Sequence, residues 1–331
     1  MSDRYVLAAD VGGTKTLLAL ARVHAGRPQV MQQAYLENHE FADFYAVLRT
    51  FCGQSACPPL QAVCLAVAGP VGEGRARLTN LAWQIESERI GELLPARPSV
   101  RLINDFSAIG FAIPALQEQD CVVLQQGTAR PAAPVLVIGA GTGLGVCYRV
   151  ADAQGVRVLP TEGGHLGFAP LNAEQMALLA YWRERLPRVS NENLLSGAGI
   201  ERIFTYLDAQ TPAANELLEA VKHDGAVAVS RYATSQNDPL ARRTMELFFQ
   251  IYGAVAGDMA LALLAQGGVY IAGGIAAKNR ELLLASGFMS AFLGKVPHEA
   301  IMRDIPVRLI VEQNAGLLGA LEVAAQECGK K

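Results

Sequence analysis

The amino-terminal segment places a carboxylate directly before a pair of glycines. An apolar run from Tyr5 to Ala9 ends on Asp10, turns at Gly12-Gly13 and continues as a second apolar run from Leu17 to Val23. This order predicts a β-hairpin with a glycine turn, where backbone without side chains can approach a ligand closely. The N–H groups of such a turn favour anions, and a carboxylate at the strand end can hold a hydrated divalent cation.

A second glycine turn repeats this order later in the chain. Between Pro134 and Val150, an apolar run leads into Gly139-Ala-Gly-Thr-Gly-Leu-Gly145 and then into another apolar run. Two such units predict a duplicated domain that binds a nucleotide polyphosphate from two sides. Two ordinary hairpins remain the alternative.

Two commoner phosphate-binding motifs do not fit these glycines. The Walker A loop opens a helix, whereas Gly13 is followed by Thr14-Lys15 and an apolar run of strand character. The dinucleotide fingerprint fails because Leu144 stands where the third glycine counted from Gly139 should be. The pattern therefore argues against P-loop and Rossmann proteins.

Asp105 is the best candidate for a catalytic residue. It follows Asn104 at the end of the apolar strand pattern Ser99 to Ile103, where open α/β sheets bind their ligands. A carboxylate there can accept the proton of an attacking hydroxyl, as a general base does. The alternative is that Asp105 caps a helix that begins at Phe106 or Ser107.

A second group of polar residues is Glu162-Gly-Gly-His165. Its glycines would bring backbone close to a ligand, while Glu162 and His165 offer acceptors and a donor suited to the buried hydroxyls of a polyhydroxylated ligand. The alternative is a histidine that is merely exposed or satisfied by a neighbour. Glu192 lies near a predicted helix start, where a carboxylate is favoured by the helix dipole alone.

Composition narrows the class of protein. The 331 residues suit two domains, and 51% hydrophobic with 18% charged residues is typical of a well-buried α/β protein. A net charge of −3 without a long basic block argues against nucleic acid as a binding partner.

The chain enters its first strand at once and has no run of eighteen apolar residues, so we expect a soluble cytoplasmic protein that needs no membrane. Its six cysteines form no C-x-x-C pair and give no zinc framework; Cys52 and Cys57 could pair, although a reducing compartment argues against it.

Periodicity and turn residues predict a mixed sheet with helices on its faces. The predicted helices are 41–51, 106–116, one that starts at Asp238-Pro239, and 316–325; the predicted strands beyond the hairpins are 62–68, 99–103, 268–272 and 307–311. Residues 125–134 are predicted to be a loop.

Taken in order, these motifs resemble those of bacterial glucokinases, above all the proteobacterial type. The motifs are Asp10-Val-Gly-Gly-Thr14, Asn80 with Trp83, Leu102-Ile-Asn-Asp-Phe106, Gly139-Ala-Gly-Thr-Gly-Leu-Gly145, Glu162-Gly-Gly-His165, Leu195-Ser-Gly197, Ile271-Ala-Gly-Gly-Ile275 and Asn314-Ala-Gly-Leu-Leu-Gly319. Each motif alone is weak, but the ordered set is specific and covers essentially the whole chain.

The resemblance implies an α/β architecture of the actin-like ATPase (ribonuclease H-like) class, with two lobes and a nucleotide and sugar cleft between them. A small α/β domain would comprise residues 1–112, with the C-terminal helix region 306–331 packing back on it. A large α/β domain would comprise residues 113–305. A homodimer is expected.

The resemblance also implies an activity and a set of site residues. The activity is ATP-dependent phosphorylation of glucose to glucose 6-phosphate, the first step of glycolysis, with Asp105 as general base on the 6-hydroxyl. Asn104, Asp105, Glu162, His165 and Glu192 would bind glucose. ATP would be bound by Ala9, Asp10, Val11, Gly12, Gly13, Thr14, Gly141, Thr142 and Gly143, with Gly273 and Gly274 on the adenosine side. Asp10 would hold Mg²⁺ through water.

The sequence departs from related patterns at two places. Zinc-bearing sugar kinases carry a cysteine-rich segment after E-x-G-H, whereas this chain has no cysteine between Cys147 and Cys328, so no zinc is expected and His165 is interpreted as a sugar ligand. Where many glucokinases have T-N-H-x-W, this chain has Leu81 in place of the histidine. Three alternatives stay open: a kinase for another hexose, a non-catalytic regulator, and a filament-forming or chaperone-type ATPase. Regulators of related fold carry an amino-terminal helix-turn-helix, and we expect none here because the first hairpin begins at Arg4.

Overall fold

The computed structural model describes residues 3–54, 57–78, 81–153 and 155–329. The chain divides into two compact units: the first runs to Gln117 and resumes at Glu312, and the second comprises Glu118–Val311. The domain limits 1–112 and 113–305 stay a prediction. Within region 306–331, strand Val307–Ile310 belongs to the sheet of the second unit, because it pairs with two strands of that unit. Thr79 and Asn80 lie outside the described residues.

The elements are numbered in chain order. The strands are β1 Arg4–Val11, β2 Lys15–His24, β3 Arg27–Glu37, β4 Leu60–Val67, β5 Val71–Gly72, β6 Arg75–Arg77, β7 Gln84–Glu86, β8 Ser99–Asn104, β9 Cys121–Gln125, β10 Val135–Ala140, β11 Leu144–Asp152, β12 Gly155–Thr161, β13 Gly268–Ala272 and β14 Val307–Ile310. The α-helices are α1 Phe44–Gln54, α2 Ser87–Leu93, α3 Asp105–Ala112, α4 Ala173–Arg183, α5 Asn191–Leu194, α6 Gly197–Asp208, α7 Asn215–Asp224, α8 Ala226–Ser235, α9 Pro239–Ala262, α10 Gly274–Lys278, α11 Arg280–Ala285, α12 Phe288–Leu293, α13 Glu299–Asp304 and α14 Ala315–Gly329.

The main sheet of the first unit has the strand order β3-β2-β1-β4-β8. The predicted hairpin is confirmed, since β1 and β2 pair antiparallel with Asp10 opposite Leu17. Strands β1, β4 and β8 are parallel. Their carboxyl ends therefore share one edge of the sheet, which is where Asp10 and Asn104 lie.

The sheet of the second unit has the order β12-β11-β10-β13-β14-β9. Here β10 and β11 form the second predicted hairpin, and β10, β13 and β14 are parallel. Apart from the added edge strand β9, the order repeats that of the first unit. The prediction of a duplicated strand–glycine–strand unit is therefore confirmed at the level of topology, which is the mixed α/β topology of the actin-like fold.

Two long apolar helices cover these sheets. Helix α9 starts where the sequence predicts, because Asp238 accepts hydrogen bonds from the N–H groups of Leu240 and Ala241 and Pro239 occupies the first turn. Tyr252, Phe248 and neighbouring side chains of α9 are fully buried in the core of the second unit. Helix α14 packs on β1, β4 and α3 in the first unit. Within the described ranges, every helix is too short or too polar to span a bilayer.

Several predicted boundaries differ from the structure. Helix α1 begins at Phe44, after Asp43, whose carboxylate accepts a hydrogen bond from Ala46 N–H at 2.7 Å. Helix α3 ends at Ala112 and continues as a 3₁₀ turn over Ile113–Ala115, because Pro114 cannot donate the next helical bond. Strands β3 and β12 were not predicted; they are exposed edge strands, and they lack the apolar runs that mark buried strands.

Candidate active site

The first glycine turn is fixed by a buried asparagine that sequence reasoning missed. Asn38 Nδ2 donates to Gly12 O at 2.9 Å, and Asn38 Oδ1 accepts from Thr16 Oγ1 at 2.7 Å. The Asn38 backbone N–H also donates to Thr14 O at 2.8 Å, and Gly12 N–H donates to Lys15 O at 3.0 Å. Asn38 is 1% exposed, so these bonds are made away from solvent. Together they hold the backbone of the turn in one conformation.

Changing Asn38 to aspartate should therefore disturb the turn without altering side-chain size. The substituted oxygen would face Gly12 O and could not donate, which leaves a buried acceptor unpaired at a cost of about 1–3 kcal/mol. If the turn binds ATP phosphates, the KM for ATP should rise more than the KM for the second substrate. Steady-state kinetics in which each substrate is varied at a saturating concentration of the other measure this; equal increases in both KM values would contradict a specific role of the turn.

Asp10 lies at the carboxyl end of β1, next to the first turn of helix α14. A Cβ built on Gly316 would lie 2.5 Å from Asp10 Oδ2, which shows how closely the helix approaches the carboxylate. Burial, and then the charge of Asp105, raise the pKa of Asp10 to about 6. The structure thus brings Asp10 and Asp105 together in one unit as two carboxylates that repel each other.

Asp105 is the first residue of α3, but it is not the helix cap. Asn104 is the cap, and its Oδ1 accepts from Phe106 N–H at 3.0 Å and from Ser107 N–H at 3.3 Å. The Asp105 Oδ1 atom accepts from Phe106 N–H at 2.8 Å and from Asn104 Nδ2 at 2.9 Å. Both bonds fall on the same carboxylate oxygen and orient the group. Burial raises the pKa of Asp105, and these hydrogen bonds oppose that increase.

The carboxylate pair suits a hydrated magnesium ion. Mg²⁺ usually keeps several waters and takes one or two protein carboxylates together with substrate phosphates. Burial and, after it, the charge of Asp105 raise the pKa of Asp10, and a divalent cation bound there would offset both effects by favouring the ionised carboxylates. Among the described residues, no cluster of three or more histidine, cysteine or acidic side chains could form a complete protein cage for a metal. A cation here would therefore depend on water and phosphate for its other ligands.

In the second unit, Glu192 lies against the second glycine turn. Gly141 N–H donates to Gly143 O at 2.8 Å, which closes the turn. Leu144 N–H donates to Glu192 Oε2 at 2.9 Å, and a Cβ added to Gly143 would lie only 2.5 Å from the same oxygen. Glu192 therefore does more than place a negative charge in the first turn of α5. Its carboxylate also accepts a hydrogen bond from the glycine turn that precedes β11.

The structure brings His165 between two of the predicted carboxylates. Its Nε2 lies 3.7 Å from Glu162 Oε2, and its Nδ1 lies 3.9 Å from Glu192 Oε1. The side chains are 90% exposed for Glu162, 60% for His165 and 32% for Glu192. This group can offer several acceptors and one or two donors to a polyhydroxylated ligand, as its composition suggested.

The glycines between Glu162 and His165 pack against the protein on the side where a side chain would stand. Both are buried, and a Cβ on Gly164 would collide with Leu144 O of β11. A Cβ on Gly163 would be crowded by Thr161 Oγ1 at 3.2 Å. The two glycines allow the short 3₁₀ turn to pack tightly on the strand. The approach of their backbone to a ligand stays a prediction.

The two glycines of the second turn allow a matched test. Gly143→Ala should push Glu192 away and break its bond to Leu144, whereas a Cβ at Gly141 meets no atom within 4 Å. We expect Gly143→Ala to raise the substrate KM that depends on Glu192, with a loss of stability of about 1–3 kcal/mol. Gly141→Ala should melt close to wild type. Thermal denaturation and kinetics of both variants check this, and equal melting of the two would contradict the assigned contact.

Gly273 and Gly274 stand at the carboxyl end of β13. Gly273 has φ of 86°, and its Cα faces Ala140 at the end of β10, so that only glycine fits. Tyr252 joins the same two strands: its hydroxyl accepts from Ala140 N–H at 3.2 Å and lies 3.0 Å from Ile138 O and 3.5 Å from Ala272 O. Tyr252 is thus a second supporting residue that sequence reasoning missed, because in the sequence it is one aromatic residue in an apolar helix.

Comparison with known proteins bears on the family of this chain. A family model described as Glucokinase matches residues 7–327. The glucokinase of Nostoc punctiforme is 38% identical over 97% of this chain and 99% of the relative, and that of Tolumonas auensis is 35% identical over 98% of each. The crystal structure of a glucokinase from an Antarctic psychrotroph is 30% identical, with a TM-score of 0.87 over 97% of this chain and 99% of that one. The recognition made from the motifs is confirmed.

Proposed function

This chain belongs to the glucokinase family, and from that premise we propose that it transfers the γ-phosphoryl group of ATP to the 6-hydroxyl of glucose. The observation that carries the proposal is the placement of Asp105 directly after β8. The same sheet edge holds Asp10 and the first glycine turn, which Asn38 fixes through its hydrogen bonds. A general base, a cation ligand and a phosphate-binding turn are the parts that phosphoryl transfer requires, since its catalysis is mainly positioning and electrostatic stabilisation.

Each predicted residue has a role in this proposal. Asp105 accepts the proton of the 6-hydroxyl on Oδ2, while its Oδ1 accepts hydrogen bonds from Asn104 Nδ2 and Phe106 N–H. Asn104, Glu162, His165 and Glu192 bind the remaining sugar hydroxyls. The backbone from Ala9 to Thr14 and from Gly141 to Gly143 binds the phosphates of ATP. Gly273 and Gly274 lie on the adenosine side. A Cβ on Gly274 would meet only Lys278 Cε, at 4.0 Å, so the backbone there is open to close approach.

Magnesium belongs to the proposed site at Asp10. When bound, the ion neutralises charge on the phosphate oxygens during transfer. Asp10 would hold it through water, and the nearby charge of Asp105 would add to the electrostatic attraction. With a cation bound there, both carboxyls would have a lower pKa, which would keep Asp105 ionised as a base.

The decisive experiment is a coupled assay for ADP release with magnesium. We expect ADP release to depend on glucose, to stop when magnesium is chelated, and to be slower with fructose, mannose or N-acetylglucosamine. Faster turnover with another hexose would identify that hexose as the preferred substrate. Rapid ATP hydrolysis without any sugar would instead indicate an ATPase that does not phosphorylate sugars. Size-exclusion chromatography with light scattering tests the homodimer that the resemblance implies.

The absence of zinc is a separate prediction. His165 is proposed as a sugar ligand. The ionisable side chains beside it are the carboxylates of Glu162, at 3.7 Å, and Glu192, at 3.9 Å, and not the cysteine thiolates that the zinc-bearing sugar kinases carry. Elemental analysis of chelator-washed, active protein should find no stoichiometric zinc. One zinc per chain, lost together with activity in His165→Ala, would contradict the assignment of His165.

A further inference from the structure

Lys15 is a charged residue beside the first glycine turn that has no role in the proposed function. It is the first residue of β2, and its carbonyl oxygen accepts the Gly12 N–H bond that closes the turn, at 3.0 Å. Lys15 is exposed, and in the described part of the chain its ammonium takes part in no ion pair. The turn therefore carries a positive charge that is available to a ligand.

The strand register places this lysine on the same face of the sheet as Asp10. Asp10 pairs with Leu17 across β1 and β2, and Lys15 lies two residues before Leu17 on the same strand. Side chains two residues apart along a strand point to the same face. Lys15 and the proposed magnesium-binding carboxylate thus lie on one face, at the end of the sheet where the turn is.

The lysine side chain lies against an aromatic residue of β3. Its Nζ atom is 5.6 Å from the centre of the Tyr35 ring, within the range of a cation–π interaction. The Tyr35 hydroxyl donates to Asn314 Oδ1 at 2.8 Å, and Asn314 directly precedes α14. The first turn of the same helix packs against Asp10 at Gly316. The start of α14 therefore positions both the carboxylate and, through Tyr35, the lysine.

We infer that Lys15 binds the triphosphate of ATP, with Tyr35 and Asn314 as its positioning residues, which rests on the proposed function because it adds a ligand to the same turn. Mg²⁺ offsets only part of the negative charge of ATP, and the carboxylates of Asp10 and Asp105 add more charge of that sign. A lysine ammonium is a compact point charge that contacts phosphate oxygens as a charged donor. The contact exists before transfer begins, so it acts on ATP affinity more than on kcat.

The test measures nucleotide binding apart from the transfer reaction. Isothermal titration with magnesium compares ATP with adenosine for the full-length wild-type protein and for Lys15→Met, which keeps the unbranched stem but loses the charge. We expect ATP binding to weaken by about tenfold in this variant and adenosine binding to stay unchanged, because only ATP carries phosphates. Lys15→Arg should recover most of the ATP affinity, since it restores the charge. Lys222→Met is the matched control, because Lys222 is an exposed lysine of α7 that pairs with Glu219.

The positioning role of Tyr35 is tested by a double-mutant cycle. Tyr35→Leu removes the ring and should weaken ATP binding by about two- to fivefold, the size of an exposed cation–π interaction. In the Lys15→Met background the same change should have no further effect, because Tyr35 acts through the lysine. Additive losses would overturn the positioning role. In steady-state kinetics, the KM for ATP should rise in Lys15→Met while kcat stays close to wild type.

The outcomes separate this role of Lys15 from the proposed function. If the wild-type protein binds no ATP, both fail. If the wild-type protein binds ATP and Lys15→Met binds it equally well, the role of Lys15 is overturned while the proposed function stands. A parallel loss of adenosine binding in Lys15→Met would indicate a general disturbance of the turn and would also overturn the contact with the phosphates.

Discussion

Asp105→Asn is expected to lower kcat by about 10²–10⁴-fold, because an amide cannot take the proton of the attacking hydroxyl. The amide keeps the shape of the side chain, and its oxygen can still accept from Phe106 N–H, so the start of α3 should be preserved. Glucose affinity, measured by isothermal titration, should change little. Single-turnover kinetics with saturating ATP and glucose measure the chemical step directly.

Asp43→Asn provides the matched control for this variant. Asp43 is likewise at a helix start and accepts a backbone N–H bond, from Ala46, but it lies just before α1 on a partly exposed surface. The same chemical change there should leave kcat unaffected. If Asp105→Asn kept near wild-type turnover, Asp105 would serve only to orient Asn104 and the first turn of α3, and another residue would have to be the base.

Glu192→Gln is expected to raise the KM for glucose by about one to two orders of magnitude. A charge-assisted hydrogen bond to a hydroxyl contributes about 1.5–3 kcal/mol, and each 1.4 kcal/mol is about tenfold in affinity. Glutamine can still accept from Leu144 N–H, so the glycine turn should keep its shape and the KM for ATP should change little. Steady-state kinetics in both substrates distinguish the two effects.

The size of the effect should follow burial within this group. Glu192 is 32% exposed, whereas Glu162 is 90% exposed, so Glu162→Gln should raise the KM for glucose less, and His165→Ala should fall between them. Glu174→Gln is the control, since Glu174 is 31% exposed but pairs with Arg243 far along the chain. Equal weakening of ATP and glucose binding in Glu192→Gln would indicate a general disturbance of the second unit and would contradict a role in sugar binding.

The sequence by itself determined the elements that carry the site. Local chemistry is enough for this: apolar runs end where polar residues and glycines begin, as at Asp10, Asn104 and Gly273, and parallel strands then bring such ends to one edge. The ordered motifs also identified the family, which the match over residues 7–327 confirms. The roles of individual residues stay predictions that the variants above address.

Only the tertiary structure decided which residues support the site and how its glycines are used. Asn38 and Tyr252 fix the two sets of turns through bonds to residues 20 or more positions away. An isolated asparagine, or a tyrosine in an apolar helix, carries no local sign of such a bond. Asn104 and not Asp105 caps α3, because after β8 the side-chain oxygen of Asn104 accepts hydrogen bonds from two backbone N–H groups. At Gly163 and Gly164, the space where a side chain would stand is filled by β11 and by Met259 of α9. Sequence shows where backbone lacks a side chain, but only packing shows what occupies the space.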